Sequence, residues 1–164
     1  MSDEALSHTD GSGRARMVDV GGKDVSDRYA SASGAIRMAA TTLDAIRANA
    51  LKKGDVLSVA RVAGIMAAKR TADTIPLCHP ITLTDIGVEF TLDDTLPGVR
   101  VVAFARTRER TGVEMEALCA ATTALLTVYD MAKALDRGMT IVEVALIEKS
   151  GGASGDWKRE VPQG

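Results

Sequence analysis

The chain has 164 residues, 46% of them hydrophobic and 26% charged, which is the balance of one globular domain with a sizeable core. A net charge of −2 and an aromatic content of 3% argue against a nucleic-acid partner, which favours cationic surfaces and stacking rings. Apolar runs are too short to span a membrane, no signal peptide is recognisable, and two cysteines cannot build a disulfide framework. We therefore expect a cytoplasmic protein without a membrane partner.

Polar segments flank this predicted domain. Residues 1–16 are small and polar and predict a flexible N-terminal arm. Residues 151–164 are rich in Gly and Ser at their start and predict a flexible C-terminal tail or an active-site flap. A single catalytic domain is thus expected over residues 17–150.

The first half of the chain predicts an extended segment at 17–20, a strand at 30–38, a helix at 39–50 and a second helix at 55–70. Asp55 is suited to cap the second helix, because its side chain can accept a hydrogen bond from a free backbone amide. Pro76 and Pro80 predict a loop over residues 71–80.

The second half predicts a strand at 86–90, a strand at 102–105, a long helix at 112–136 closed by Gly138, and a strand at 140–148. Asp93-Asp94 and Pro97-Gly98 predict the turn of an antiparallel hairpin. Strand, helices, strand, strand, helix, strand is the order of the α+β ferredoxin-like, or split βαβ, fold. In that fold the helices pack on one face of an antiparallel sheet.

The long predicted helix carries charged side chains at both ends. Glu116 and Asp130 are separated by about 21 Å along the helix axis, because each residue adds ~1.5 Å. Either only one end is chemical, or two chains pool opposite ends of the helix in a shared site. Glu116 shares a helical stripe of small and polar side chains with Ala120, Thr123, Thr127 and Asp130, and Leu118, Ala121, Leu125 and Val128 form the stripe toward the sheet.

The small stripe permits an antiparallel crossing of two copies near Thr123, and the alternative is a solvated face.

Charged residues at both ends of this helix also have ordinary structural explanations. Thr111 and Glu114 fit the T-x-x-E capping box. Asp130 and Lys133, three residues apart, fit either a weak surface ion pair or a pair for general acid–base chemistry.

His79, between Cys78 and Pro80, is presented by a proline-stiffened loop, which favours hydrogen bonding or acid–base work. Adjacent Cys and His without a second ligand pair do not match metal-site spacing, so no metal site is predicted. Lys149 precedes Ser150-Gly151-Gly152, where backbone amides and an ammonium could cradle a phosphate. Together with further basic residues this pattern predicts a polyanionic small-molecule ligand. Those residues are Lys53, Lys69, Arg70 and Lys133.

Four segments in order, KRTADTIPLCHPI, TGVEMEAL, TVYDMAKALDRGM and EKSGG, resemble the signature segments of the cyclic pyranopterin monophosphate synthases. The opening LSHTDGSGRARMVDVGGK is similar to the N-terminal segment of that family. The resemblance implies the second enzyme of molybdenum cofactor biosynthesis. Such a lyase converts a cyclised dihydroguanosine triphosphate, derived from GTP, into cyclic pyranopterin monophosphate and pyrophosphate. It also implies a homohexamer, a trimer of dimers, with active sites at the dimer interface.

Matched motif to motif, the catalytic Asp and Lys of the family fall on Asp130 and Lys133. The substrate-binding positions fall on Leu77, Cys78, His79, Met115, Glu116, Glu114, Lys53, Lys69 and Lys149. No cofactor is implied, although Mg²⁺ can accompany the triphosphate. Two other functions remain open from the residues: a non-catalytic ferredoxin-like module that binds a nucleotide for regulation, and a different acid–base lyase acting on a phosphorylated metabolite.

Overall fold

The computed structural model describes residues 12–160, which form four helices and five strands. The elements in chain order are β1 (Ser26–Arg37), α1 (Ala40–Arg47), α2 (Val56–Lys69), α3 (Thr71–Thr74), β2 (Leu83–Asp93), β3 (Gly98–Glu109), α4 (Glu114–Ala132), β4 (Thr140–Ser150) and β5 (Trp157–Lys158). None of the helices in this described part is long and apolar enough to cross a bilayer.

The strands form one antiparallel sheet in the order β2-β3-β1-β4-β5, which confirms the ferredoxin-like prediction. The predicted hairpin is also confirmed, because β2 and β3 pair from Leu83↔Thr107 to Asp93↔Gly98. Its turn is stabilised by Asp93, whose carboxylate accepts hydrogen bonds from the Thr95 and Leu96 amides at 2.8 and 3.2 Å.

Small side chains let the helices pack closely against the sheet and against each other. In β1, Ala30 and Ala32 are fully buried. Where α2 crosses α4, a Cβ added to Gly64 would lie 2.9 Å from the Ala120 carbonyl oxygen and 3.3 Å from Ala124 Cβ. Only glycine therefore permits the observed separation of the two helices. This Gly64–Ala120–Ala124 contact, called the α2–α4 seam below, fixes how α4 is rotated about its axis.

Apolar residues occupy both faces of β3. Val102, one of the residues that predicted this strand, is 50% exposed, whereas Val101 and Ala103 are buried on the face toward the helices. Alternation identified the strand, but with apolar side chains on both faces it could not show which face is the core.

Several predicted boundaries were wrong. β1 begins at Ser26 rather than residue 30, and α1 ends at Arg47 rather than residue 50. The predicted loop at 71–80 opens with α3, a single helical turn closed by the Ile75 amide, which donates to the Thr71 carbonyl at 2.9 Å. By contrast, Asp55 caps α2 as predicted, accepting from the Ser58 amide at 3.0 Å.

The long helix is shorter than predicted, and the predicted capping box is absent. α4 runs from Glu114 to Ala132, its N-cap residue is Val113, and no side chain caps this end. Thr111 lies two residues before the N-cap, too early to bond the free amides of the first turn. The Glu114 carboxylate instead folds back against Gly112.

The C-terminal segment contains a strand that the sequence pattern did not predict. After Gly151 and Gly152, both with positive φ, the chain turns and β5 pairs with β4 through Glu148↔Lys158 and Lys149↔Trp157. Residues 1–11 of the predicted arm and 161–164 of the predicted tail lie outside the described residues.

Candidate active site

One cluster of charged groups lies at the C-terminal end of α4. Lys133 donates to one Asp130 carboxylate oxygen at 2.6 Å, and Lys53, in the turn before α2, donates to the other at 2.9 Å. Lys53 also bonds the Asp130 backbone carbonyl at 2.9 Å. The hydrogen bond from Lys133, followed by that from Lys53, lowers the pKa of Asp130 to about 2. We call Lys53, Asp130 and Lys133 the Asp130 clamp. It holds an ionised carboxylate at the surface, between two ammonium groups.

A cavity of about 540 Å³ lies near the N-terminal end of the same helix. We call it the His79 cavity. The loop after α3 contributes Leu77, Cys78 and His79, and the first turn of α4 contributes Glu114, Met115 and Glu116. The fold thus brings together six of the predicted site residues from two segments of the chain. A cavity of this size suits a small organic ligand.

Glu116 is buried in its own chain, with 4% of its surface exposed, and therefore does not lie on a solvated face. Burial raises the pKa of its carboxyl to about 7, and the nearby charge of Glu114 adds to this effect. Near neutral pH such a group is populated in both its protonated and ionised forms. It can therefore accept or donate a proton without a large free-energy cost.

The two thiols near this carboxyl are poorly suited to act as nucleophiles. Burial, with a further contribution from the Glu116 charge, raises the pKa of Cys78, and burial is also the main cause of the raised pKa of Cys119. A raised pKa lowers the thiolate fraction, and the thiolate is the reactive form. Cys78 is thus better suited to contact a ligand than to attack one.

A second, cationic cavity of about 140 Å³ adjoins the first and shares Lys23, Thr111, Gly112 and Glu114 with it. We call it the arginine–lysine cavity. Three further cationic side chains line it: Arg28, Arg110 and Lys149. Convergent guanidinium and ammonium groups of this kind favour phosphate oxygens. Lys149, predicted to belong to a phosphate cradle, lines this cavity, and its ammonium is hydrogen-bonded to the Ser154 hydroxyl.

Three residues that the sequence pattern did not indicate as site residues complete this cavity. Lys23 and Arg28 lie near the start of the chain and Arg110 is more distant, and the pairing of β1 with β3 brings Arg28 and Arg110 together. The predicted backbone contribution is reduced, because the Gly151 amide donates to the Asp156 carboxylate at 3.1 Å. Lys69 lies on a third cavity of about 90 Å³, which also contacts His79 and Glu116.

Comparison with known proteins identifies the family of this chain. The sequence pattern of the MoaC family matches residues 17–152. The chain belongs to the MoaC family. Two relatives, from Brucella ovis and Brucella melitensis biotype 2, are each named cyclic pyranopterin monophosphate synthase. Each is 59% identical over 152 residues, covering 93% of this chain and 92% of the relative.

In this MoaC-family chain, the predicted site residues separate into two groups. Lys53, Asp130 and Lys133 lie at one end of α4, and the other eight line the cavities near its start. Glu116 and Asp130 are about 21 Å apart along the helix. The predicted open stripe between them is interrupted, because α2 covers Ala120 and Ala124 at the α2–α4 seam.

Metal ligands do not converge anywhere in residues 12–160, where no group of three or more His, Cys, Asp or Glu side chains could hold an ion. The chemical groups that do converge are cations, carboxyls and one imidazole. They suit proton transfer on a polyanionic molecule, with phosphate held in the arginine–lysine cavity.

Proposed function

We propose that the protein is a lyase of molybdenum cofactor biosynthesis. It converts a cyclised dihydroguanosine triphosphate into cyclic pyranopterin monophosphate and releases pyrophosphate. The observation that carries the proposal is 59% identity, over 93% of the chain, to relatives named for that product. The adjoining cavities, one lined by groups that can transfer protons and the other by cations that suit phosphate, support the same chemistry.

The arrangement of charges suggests a division of roles. Lys23, Arg28, Arg110 and Lys149 surround the arginine–lysine cavity and would hold the triphosphate, stabilising the negative charge that develops as pyrophosphate leaves. The purine-derived rings would occupy the adjoining His79 cavity, where Glu116 has a pKa of about 7 and can transfer protons. Asp130 and Lys133 are proposed as the catalytic acid–base pair.

The 21 Å separation of Glu116 from Asp130 supports a site shared between chains. One molecule of substrate cannot contact both ends of a single α4, so the Asp130 clamp of one chain would complete the cavities of another. This is consistent with a homohexamer built as a trimer of dimers, with active sites at the dimer interface. The exposed Leu126 and the half-exposed clamp leave this end of α4 available to a second copy.

The decisive assay incubates the protein with the cyclised triphosphate and follows pyrophosphate and the pterin product. Asp130→Asn and Lys133→Ala should fold and bind but lose turnover, by about 10²- to 10⁴-fold for an acid–base group. Asp44→Asn is a matched control, because Asp44 is also exposed and bonds Arg47 three residues later at 2.7 Å. Near-normal product formation by either clamp variant would remove Asp130 and Lys133 from the mechanism.

Mixed oligomers test whether sites are shared. Subunits carrying Glu116→Ala and subunits carrying Asp130→Asn should each be inactive, and mixing them should restore part of the activity. Mixing restores nothing if each site lies within one chain. A binding module without catalysis would instead retain the triphosphate unchanged and release no pyrophosphate, which the same assay detects.

Two further expectations accompany the proposed function. Mg²⁺ would enter as part of the triphosphate, so chelation is expected to affect substrate binding and leave the fold intact.

A cytoplasmic location is also proposed. It is supported by the two cysteines, which are both free thiols, as expected in a reducing compartment.

A further inference from the structure

The N-terminal segment crosses the His79 cavity and contacts its imidazole. Residues 16–23, called the strap below, contribute Val18, Val20 and Lys23 to the cavity lining. The strap is held by a 2.7 Å hydrogen bond between His79 Nε2 and the Val18 backbone carbonyl. Its far end is held by Arg110, which donates to the Gly21 carbonyl at 3.1 Å.

The Val18 contact determines where the imidazole carries its proton. A carbonyl oxygen only accepts hydrogen bonds, so Nε2 must be the protonated nitrogen whenever this contact is made. In the neutral ring Nδ1 is then the proton acceptor. Within residues 12–160 no other polar atom hydrogen-bonds the ring, so Nδ1 has no protein partner there.

We propose that the strap is part of the active site, with Val18 as a positioning residue that holds His79 as the Nε2–H tautomer. Nδ1 is then the atom that accepts a proton from the bound molecule. The proton moves from the substrate to Nδ1, and the ring becomes an imidazolium that still donates from Nε2 to Val18. The role of Nδ1 rests on the proposed function, whereas the placement of the ring proton does not.

Two substitutions of His79 separate the two nitrogens. The terminal amide nitrogen of glutamine can occupy the place of Nε2, so His79→Gln should keep the strap seated and lack the Nδ1 base. The amide of asparagine ends near the place of Nδ1, so His79→Asn should release the strap. Trypsin cleavage after Arg16 reports seating, and we expect it to be slow in the parent and His79→Gln and fast in His79→Asn. Equal cleavage of the two variants would overturn the proposed contact.

Nitrogen-15 spectroscopy of the full chain tests the tautomer directly. Only His8 and His79 are histidines, so a His8→Gln background leaves one imidazole to observe. In the neutral ring, Nε2 should carry the proton and its N–H resonance should be protected from exchange. An Nδ1-protonated ring would refute the proposal.

Truncation then tests whether the strap is responsible. Removing residues 2–18 should abolish the protected N–H resonance and lower kcat roughly tenfold, the size expected for one positioning hydrogen bond. Removing only residues 2–11 is the matched control and should change neither. A protected resonance that survives the longer truncation would contradict the role of Val18. If the parent shows the resonance but makes no product, the proposed function fails and the strap contact stands.

Discussion

Burial of Glu116 makes the stability of this protein depend on pH over a defined interval. Glu116 is 4% exposed, and the pKa of its carboxyl is raised from 4.5 to about 7, chiefly because burial disfavours the charged form. Between these two values the folded chain binds more protons at Glu116 than the unfolded chain does. The free energy of unfolding therefore falls as pH rises through the interval, because ionisation is easier in the unfolded state.

The magnitude follows from the pKa shift. Each unit corresponds to about 1.4 kcal/mol, so a shift of this size predicts a loss of about 3 kcal/mol between pH 4.5 and pH 8. Glu116→Gln replaces the carboxyl by a group of similar shape that cannot ionise. The variant should match the parent below about pH 4.5 and exceed its stability by about 3 kcal/mol above pH 8.

Urea unfolding followed by far-UV circular dichroism provides the measurement, at several pH values and one protein concentration, since oligomer stability depends on concentration. Glu89→Gln is the matched control, because Glu89 is exposed in β2, and it should keep the pH dependence of the parent. Parallel stability curves for the parent and Glu116→Gln would refute the reasoning that burial raises this pKa.

Three further predictions follow from named contacts. Gly64→Ala should destabilise the fold by about 1–3 kcal/mol in urea unfolding, despite the better helix propensity of alanine, because its Cβ would press on the Ala120 carbonyl. Asp55→Ala should cost about 0.5–2 kcal/mol in the same measurement, because α2 loses its N-cap hydrogen bond. Lys53→Gln should raise the pKa of Asp130 toward its ordinary value, measured by carbon-13 titration of the carboxyl, and an unchanged pKa would show that Lys133 alone lowers it.

The order of the longer elements was predictable because each of them has a strong local signal. The hairpin carries Asp93-Asp94 and Pro97-Gly98 between apolar strands, and α2 carries an Asp cap. The start of α4 was mispredicted for a local reason too. T-x-x-E is a common cap pattern, but here the chain enters the helix two residues later, at Glu114. β5 has only two residues, too few to produce a periodic signal.

The candidate site was predictable only where residues lie in one segment or one motif. Leu77, Cys78 and His79 are consecutive, and the resemblance identified them together. By contrast, Arg28 and Arg110 meet through strand pairing between distant parts of the chain, which no local pattern records. The burial of Glu116 within its own chain was not predictable for the same reason, because helical spacing gives a face but not the element that covers it.

The α2–α4 seam has a consequence for how the length of this chain can vary. With Gly64 against Ala120, α4 cannot turn about its axis, so one residue inserted between Ala124 and Asp130 would rotate Asp130 by about 100° away from Lys53. Insertions in the hairpin turn at 94–97 would move no residue of either charged cluster. Natural length variation should therefore collect in that turn and avoid the second half of α4, where a single added residue would separate Asp130 from Lys53.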